Sequence, residues 1–443
     1  MLTLLEGMVY NINMKRLIEN KLHEWKNKKD RKPLLLVGAR QIGKSYSVLD
    51  FGKNHYTNIA LFNLETSEEL RGIFDNDLDP KRIVQELEGF SHQTIKPQST
   101  LIFFDEIQAC GKAITALKYF CEQAPEYHII AAGSLLGSFL VKDFLSFPVG
   151  KVDRIVMYPM TFQEFLMKTN PNILPLIEES FNINKPLALH ERALELFRAY
   201  LFTGGMPKAV LEWTDKKEPM FVSAIQQEIL SIYDGDMGKY ATPTEQVKTR
   251  AVYNSIPSQL VRENKKFQYS LIGSNARAVH YEIGLERLFS AGLALKCLKT
   301  KKGEMPVAGY ADMTSYKVYM NDVGLLNAKL GIPAAALLSD KAHIGGEIKG
   351  ALTENYVMQE LTASGLTPHY WESDGKAEID FVIQLDEKVI PVEVKAADNV
   401  KSKSLSVYVD KYKPAYSIRI SAKNFGFENG IKSVPLYAVW CIK

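Results

Sequence analysis

Eight residues constrain this chain more than any other feature: Gly38-Ala39-Arg40-Gln41-Ile42-Gly43-Lys44-Ser45, set directly behind the apolar run Leu34–Val37. The run fits GxxxxGK[ST], a strand-to-helix turn built around phosphate. Its glycines let backbone N–H groups curl around the phosphates, and the helix that follows offers its positive N-terminus. Lys44 is placed to reach the β- and γ-phosphates and Ser45 to coordinate Mg²⁺. Gly38, Arg40, Gly43, Lys44 and Ser45 are therefore the expected nucleotide contacts. A chain that contains this turn needs a parallel α/β sheet to present it.

The rest of such a sheet is legible downstream. Short apolar runs recur at Ile59–Phe62, Leu101–Phe104, Ile129–Ala132 and Ile155–Tyr158, separated by helical stretches, as expected for buried parallel strands. Leu101-Ile102-Phe103-Phe104 ends in Asp105-Glu106. Asp105 at the strand tip is expected to hold Mg²⁺, and Glu106 to activate the attacking water, a pairing that favours ATP hydrolysis. Ser134, just past the fourth run, lies where a polar group can sense the γ-phosphate. Lys151 and Arg154 are the nearest downstream cations for a finger or sensor charge.

The character changes after Pro159. Residues 161–243 show helical spacing without strand-like runs, interrupted by Gly204-Gly205-Met206-Pro207. Residues 244–335 combine helices with two strand candidates, Leu293–Lys299 and Tyr316–Met320, an arrangement that suits a winged helix. Residues 244–330 hold 13 Lys and Arg against 7 Asp and Glu, which makes this the basic segment, with Lys296, Lys299, Lys301 and Lys302 near the wing. Residues 340–443 read as a further α/β domain. It has a helix at Leu352–Leu361 and alternating runs at Ile379–Gln384, Val389–Lys395, Tyr416–Ser421 and Pro435–Ile442.

Composition narrows the class. Of the 443 residues, 46% are hydrophobic and 24% charged, and mean hydropathy is −0.13, values of a globular chain. The longest apolar stretch, His128–Leu140, is broken by glycine and serine and is shorter than the roughly 18 residues of a membrane span. Net charge of +3 does not by itself imply a polyanion partner. The four cysteines are far apart, without zinc-site spacing. Met1–Asn13 lacks the pattern of a signal peptide, and Met14 opens the first amphipathic segment. The expectation is a reduced, cytoplasmic protein with no membrane partner.

The stretches Gly38–Ser45, Tyr158-Pro159-Met160-Thr161-Phe162-Gln163-Glu164-Phe165, Gly204–Pro207, Tyr319-Met320-Asn321-Asp322-Val323-Gly324-Leu325-Leu326 and Leu352-Thr353-Glu354-Asn355 resemble a large bacterial and archaeal family of AAA-type ATPases. These are similar to STAND-class ATPases and carry an uncharacterised C-terminal domain. The resemblance implies a P-loop core at 14–160, a helical lid at 161–243, a winged helix at 244–335, and Pro207 as a contact near the adenine. Where family members often have Gly-Arg after the fourth strand, this chain has Gly150-Lys151, and lysine is the poorer bidentate phosphate ligand.

In the C-terminal domain, Asp380 precedes Val392-Glu393-Val394-Lys395 by a span that fits a hairpin through Asp386-Glu387-Lys388. Glu393 and Lys395 share a strand face, and Glu354 on the preceding helix could complete a metal set. Two carboxylates can hold divalent ions that activate water, with a lysine to position the nucleophile. The order resembles the PD-(D/E)XK nucleases, which implies a restriction-endonuclease-like fold. Glu354, Asp380 and Glu393 would then bind Mg²⁺ or Mn²⁺, and Lys395 would be catalytic. Residues 340–443 hold 13 basic and 14 acidic residues, not a strong nucleic-acid footprint. Two functions follow as expectations: an ATPase whose nucleotide state regulates a nuclease acting on DNA or RNA, or a STAND-like switch whose nuclease-like domain only docks a protein partner.

Overall fold

The computed structural model describes residues 14–134, 148–239, 242–274, 276–339, 344–373, 377–395 and 403–443. The Met1–Asn13 extension lies outside the described residues.

Helix α1 (Ile18–Asn27) precedes strand β1 (Leu34–Val37), and helix α2 (Lys44–His55) follows the phosphate loop. Strands β2 (Asn58–Asn63), β3 (Thr100–Asp105), β4 (His128–Gly133) and β5 (Asp153–Val156) complete a parallel sheet in the order β2-β3-β4-β1-β5. Strands β1, β3 and β4 read as apolar runs because both faces are covered, whereas the edge strand β5 is only part-buried and spans Asp153–Val156, two residues earlier than the expected run Ile155–Tyr158. Leu34, Leu36, Leu101, Phe103, Ile130 and Ala132 face the helical lid and the body beyond it. Leu35, Val37, Ile102, Phe104, Ile129 and Ala131 face the opposite core, against helices Pro80–Ser91 and Gly111–Gln123. Parallel pairing brings the C-terminal ends of β1, β3 and β4 to one edge, where Gly38, Asp105 and Ser134 meet.

The strand register also locates Lys151 and Arg154. Asp153 pairs with Leu34 and Val156 with Val37, so Lys151 precedes β5 at the end opposite the phosphate loop. There it forms an ion pair with Glu122 at 2.9 Å. Lys151 is thereby turned away from the phosphate-loop edge of the sheet.

Residues 162–236 are helical as expected: Phe162–Thr169, Leu174–Ile183, His190–Thr203, Pro207–Lys216 and the lid helix α3 (Pro219–Asp236). Proline opens the last two of these, where its missing N–H costs nothing.

The second sheet departs from the expectation of a free wing. The ribbon β6 (Ala294–Thr300) and β7 (Ala311–Met320) is antiparallel, but β6 also pairs in parallel with β8 (His369–Ser373). Strands β9 (Ala377–Leu385), β10 (Lys388–Val394), β11 (Ser417–Ser421), β12 (Gly426–Glu428) and β13 (Ile431–Pro435) extend it to eight strands, ordered β12-β13-β11-β10-β9-β8-β6-β7. Three lysines expected at the wing are spent on glutamates: Lys296 on Glu286 at 3.2 Å, Lys299 on Glu372 at 3.0 Å and Lys302 on Glu304 at 3.6 Å. The expected strand at Pro435–Ile442 is a 3₁₀ segment, Leu436–Cys441. Pro435 ends the ladder for want of an N–H, and Leu436 through Trp440 are all buried, with no alternating face to offer a sheet.

The motifs behind the family resemblance converge on one buried junction. Asp322 caps the helix Val323–Leu330 and accepts from Gly205 N at 2.6 Å. Met160 N donates to Gly205 O, and Tyr200 Oη donates to Met160 O. Helix α4 (Gly346–Ala363) sends Asn355 to Met320, Gln359 to Val323 and Tyr200, and Glu360 to Phe162 N. One continuous apolar core runs from α1 through the lid to Ile442. No helix among the described residues is long and apolar enough to cross a membrane.

Candidate active site

Gly38 and Gly43 bend the loop. Gly38 has φ of 151°, and a Cβ there would fall 2.3 Å from Met157 O; Gly43 has φ of 90°. Both positions exclude a side chain for steric reasons. Lys44 opens α2, is buried, and donates to Gly38 O at 2.9 Å and Ala39 O at 2.7 Å. Burial lowers its pKa to about 8, so the ammonium sits where a phosphate anion would be welcome. Ser45 Oγ donates to Asp105 Oδ2 at 2.8 Å. Burial raises the Asp105 pKa, which a cation at this position would reverse.

Glu106 follows with a positive φ of 50°, a turn that sets it apart from the strand direction. Its carboxylate accepts from Gln108 Nε2 and lies 3.7 Å from Arg40. Arg40 is the hub of the site. Its guanidinium donates to Ser134 Oγ at 3.2 Å, pairs with Asp236 of α3 at 3.0 Å, and approaches Glu65 at 3.6 Å. Lys239 bridges Glu65 and Asp236 from the lid side. One cation thus joins the phosphate loop, the strand-tip glutamate, the β4 serine and the lid.

Four further residues, three of them outside every motif, touch this loop or brace it. Arg16 donates to Ile42 O at 2.7 Å and Tyr158 O at 3.0 Å, with its guanidinium held by Glu164 at 2.8 Å. Tyr233 Oη donates to Arg40 O at 2.9 Å. A Cβ on Gly292, at the turn into β6, would lie 3.2 Å from Ala39 N. Glu164 also completes a capping box with Thr161, which fixes it in place for Arg16. Pro207, expected near the adenine, stands beside the loop: a Cβ built on Gly43 would lie 3.6 Å from its Cγ.

The C-terminal carboxylates are arranged differently. The hairpin brings Asp380 beside β10, where its Oδ2 accepts from Val394 N at 2.8 Å. Glu393 is buried, 3.1 Å from Lys395 and 3.6 Å from Arg419. Glu354 is instead clasped by Lys265, by Lys317 at 3.1 Å and by Tyr319. Lys317, 1% exposed, also pairs with Glu378 at 2.5 Å. Burial opposes charge on Lys317, yet Glu354, Glu378 and Asp380 hold its pKa well above the usual value. Burial likewise opposes charge on Glu354, yet Lys317 and Lys265 keep it below the carboxylate range, while burial and Glu354 push Asp380 upward. Glu354, Asp380 and Glu393 do not gather their oxygens within 4.8 Å of one another as a set.

Comparison with known proteins places the chain among families. Residues 30–166 match a family described as an AAA domain, and residues 194–336 and 349–439 match two domains of unknown function (DUF8612 and DUF4143). No curated protein sequence matches the chain. Among solved structures, it is similar to a Walker-type ATPase of Pyrococcus abyssi at 16% identity and a TM-score of 0.42, covering 72% of this chain and 96% of that one. It is also similar to the ORC2 protein of Aeropyrum pernix (11% identity, TM-score 0.37, 78% and 96% covered) and the RuvB Holliday junction branch migration motor of Thermotoga maritima (15%, 0.29, 68% and 92%). The family match spans the phosphate loop, the Asp105-Glu106 strand tip and Ser134, so over residues 30–166 the chain is similar to AAA-type P-loop ATPase domains.

Proposed function

We propose that this chain is an ATP-hydrolysing switch whose nucleotide state is read by the lid and by the C-terminal half, with the nuclease-like domain serving as a partner-docking module. The observation that carries it is the grip on the phosphate loop from outside: Tyr233 and Asp236 of the lid, Pro207, and Gly292 at the root of the second sheet. A loop held this way cannot close on a triphosphate without moving what holds it.

The roles follow from the donors. Backbone N–H groups from Gly38 to Gly43 cradle the phosphates, and Lys44 exchanges two carbonyls for phosphate oxygens. Ser45 and Asp105 form the all-oxygen pair that suits Mg²⁺, which would neutralise phosphate charge when bound. Glu106 accepts the proton of the attacking water, Ser134 donates toward the γ-phosphate, and Pro207 packs near the adenine. Arg40 is shared between Glu106 and Asp236. A γ-phosphate competing for that guanidinium would free the base and loosen the lid together.

The competing reading is a nuclease in which Glu354, Asp380 and Glu393 hold Mg²⁺ or Mn²⁺ and Lys395 positions the nucleophile on DNA or RNA. It requires Lys265 and Lys317 to give up Glu354, and the buried pairing disfavours that. The test is one reaction set: plasmid, single-stranded DNA and RNA, with Mg²⁺ or Mn²⁺, with and without ATP, on the full chain beside Asp380→Ala. ATP turnover that Glu106→Gln slows, with intact nucleic acid throughout, is the expected result. Cleavage lost in Asp380→Ala would overturn the docking role and install the nuclease.

A further inference from the structure

Helix α1 carries Glu19 and His23 four residues apart, which places both on one face. Across from them stands His55, the last residue of the phosphate-loop helix α2. The ligand atoms of Glu19, His23 and His55 all lie within 4.8 Å of one another, and no other such group occurs among the described residues. The His23 and His55 rings meet edge to face at 4.1 Å between centroids, floored by Phe51.

We propose that Glu19, His23 and His55 form a binding site for one zinc-class divalent ion, which fastens the far end of the phosphate-loop helix to α1. Two imidazoles and a carboxylate are the donor set of such an ion, whereas Mg²⁺ and Ca²⁺ take oxygen alone. Tetrahedral bonds of about 2.0–2.2 Å put ligand atoms roughly 3.4 Å apart. His55 Nε2 is already 3.6 Å from Glu19 Oε1, so side-chain rotation suffices to close the set. Ring packing on Phe51 accounts for the stacking but not for His55 Nε2, which is buried and accepts no hydrogen bond among the described residues. Glu19 and His55 remain 35% and 22% exposed, which gives the ion an entry path and a water as fourth ligand.

The position gives the site its consequence. Arg16, just before α1, braces Ile42 O at the start of α2, and the ion would brace the other end about 17 Å away along the helix. Together they would fix α2 as a rigid lever between α1 and the phosphate loop.

The experiment is titration of the full, chelator-stripped chain with zinc chloride, read by calorimetry and elemental analysis. It runs beside His23→Gln, His55→Gln and Glu354→Gln, with ATP turnover as the check on folding. The expected result is one zinc per chain and a raised Tm. Each histidine variant should weaken binding by more than about 100-fold, since even an outer-shell loss costs roughly 10–100-fold. Co²⁺ in the wild-type site should show a tetrahedral absorption spectrum, absent in both histidine variants. No stoichiometric zinc, or zinc retained in both histidine variants and lost in Glu354→Gln, would overturn the proposal.

Discussion

The two acidic clusters of this molecule solve opposite problems. Around the phosphate loop the charged groups hold partners that a ligand can replace: Lys44 rests on two carbonyls, Ser45 on Asp105, and Arg40 is divided among three carboxylates and a serine. Around Glu354 the partners are permanent. Two ammonium groups and a phenol close on one buried carboxylate, and Lys317 is itself shared with Glu378. Both clusters looked complete as motifs. Only the first holds its cations on partially exposed or neutral partners that a ligand can displace, and displaceable partners are what leave room for a ligand.

That contrast can be broken by a reciprocal pair of substitutions. Lys317→Met should cost ~3–5 kcal/mol of stability, the usual penalty for stranding one member of a buried pair, while ATP affinity of the folded fraction stays unchanged. Lys44→Met should do the reverse. The apo chain should lose no stability, because Lys44 is a buried cation without a direct carboxylate partner, but tight ATP binding should vanish. Thermal denaturation and nucleotide titration on both variants decide the matter. Equal destabilisation by the two would mean that the clusters do not differ in kind.

The junction that joins the halves offers a subtler test. Burial, with Glu164 nearby, raises the Glu360 pKa to about 8, and burial raises Asp322 to about 6. The folded chain therefore keeps the Glu360 proton across a window, from about 4.5 to about 8, in which the unfolded chain has lost it. Stability should fall as pH rises through that window, by about 1.4 kcal/mol per unit for one proton, and level off above it. Glu360→Gln keeps the acceptor for Phe162 N and removes the titration. Its Tm should decline less between pH 6 and 8 than that of the wild type; parallel profiles would mean that Glu360 ionises normally. Asp380 titrates in the same direction in both proteins and cancels in the difference.

Legibility followed locality. The phosphate loop, the Asp105-Glu106 tip and the parallel strands were readable because each is a contiguous pattern whose neighbours in sequence are its neighbours in space. The helices of residues 162–236 were readable for the same reason. Arg16, Tyr233, Asp236 and Gly292 were not, since nothing near them in sequence shows that they reach the phosphate loop. The ribbon β6–β7 read as a separate wing because its pairing with β8 spans about seventy residues of chain. Lys317 did leave a signal: a lysine between Tyr316 and Val318 in an apolar strand, on the same face as Tyr319, is poorly placed for solvent. Counted only among the 13 Lys and Arg of residues 244–330, it hid the counterion of Glu354. Glu19 and His23, four apart on the first helix, were likewise visible as a spacing, but their third partner lies beyond the phosphate loop.

The smallest expected effect is the sharpest on communication. Gly292 has φ of 70° and stands at the turn that feeds the second sheet, against the backbone of Ala39. Alanine there carries ~1–2 kcal/mol of left-handed strain, and its methyl group presses on the loop N–H that must turn toward phosphate. If the second half of the chain reads the nucleotide through this contact, Gly292→Ala should weaken ATP binding several-fold while Gly331→Ala, a left-handed glycine in open space, costs similar stability and leaves affinity alone. Equal affinity in the two variants would make the Gly292 contact packing only, and would leave the lid, through Tyr233 and Asp236, to carry the signal out of the phosphate loop.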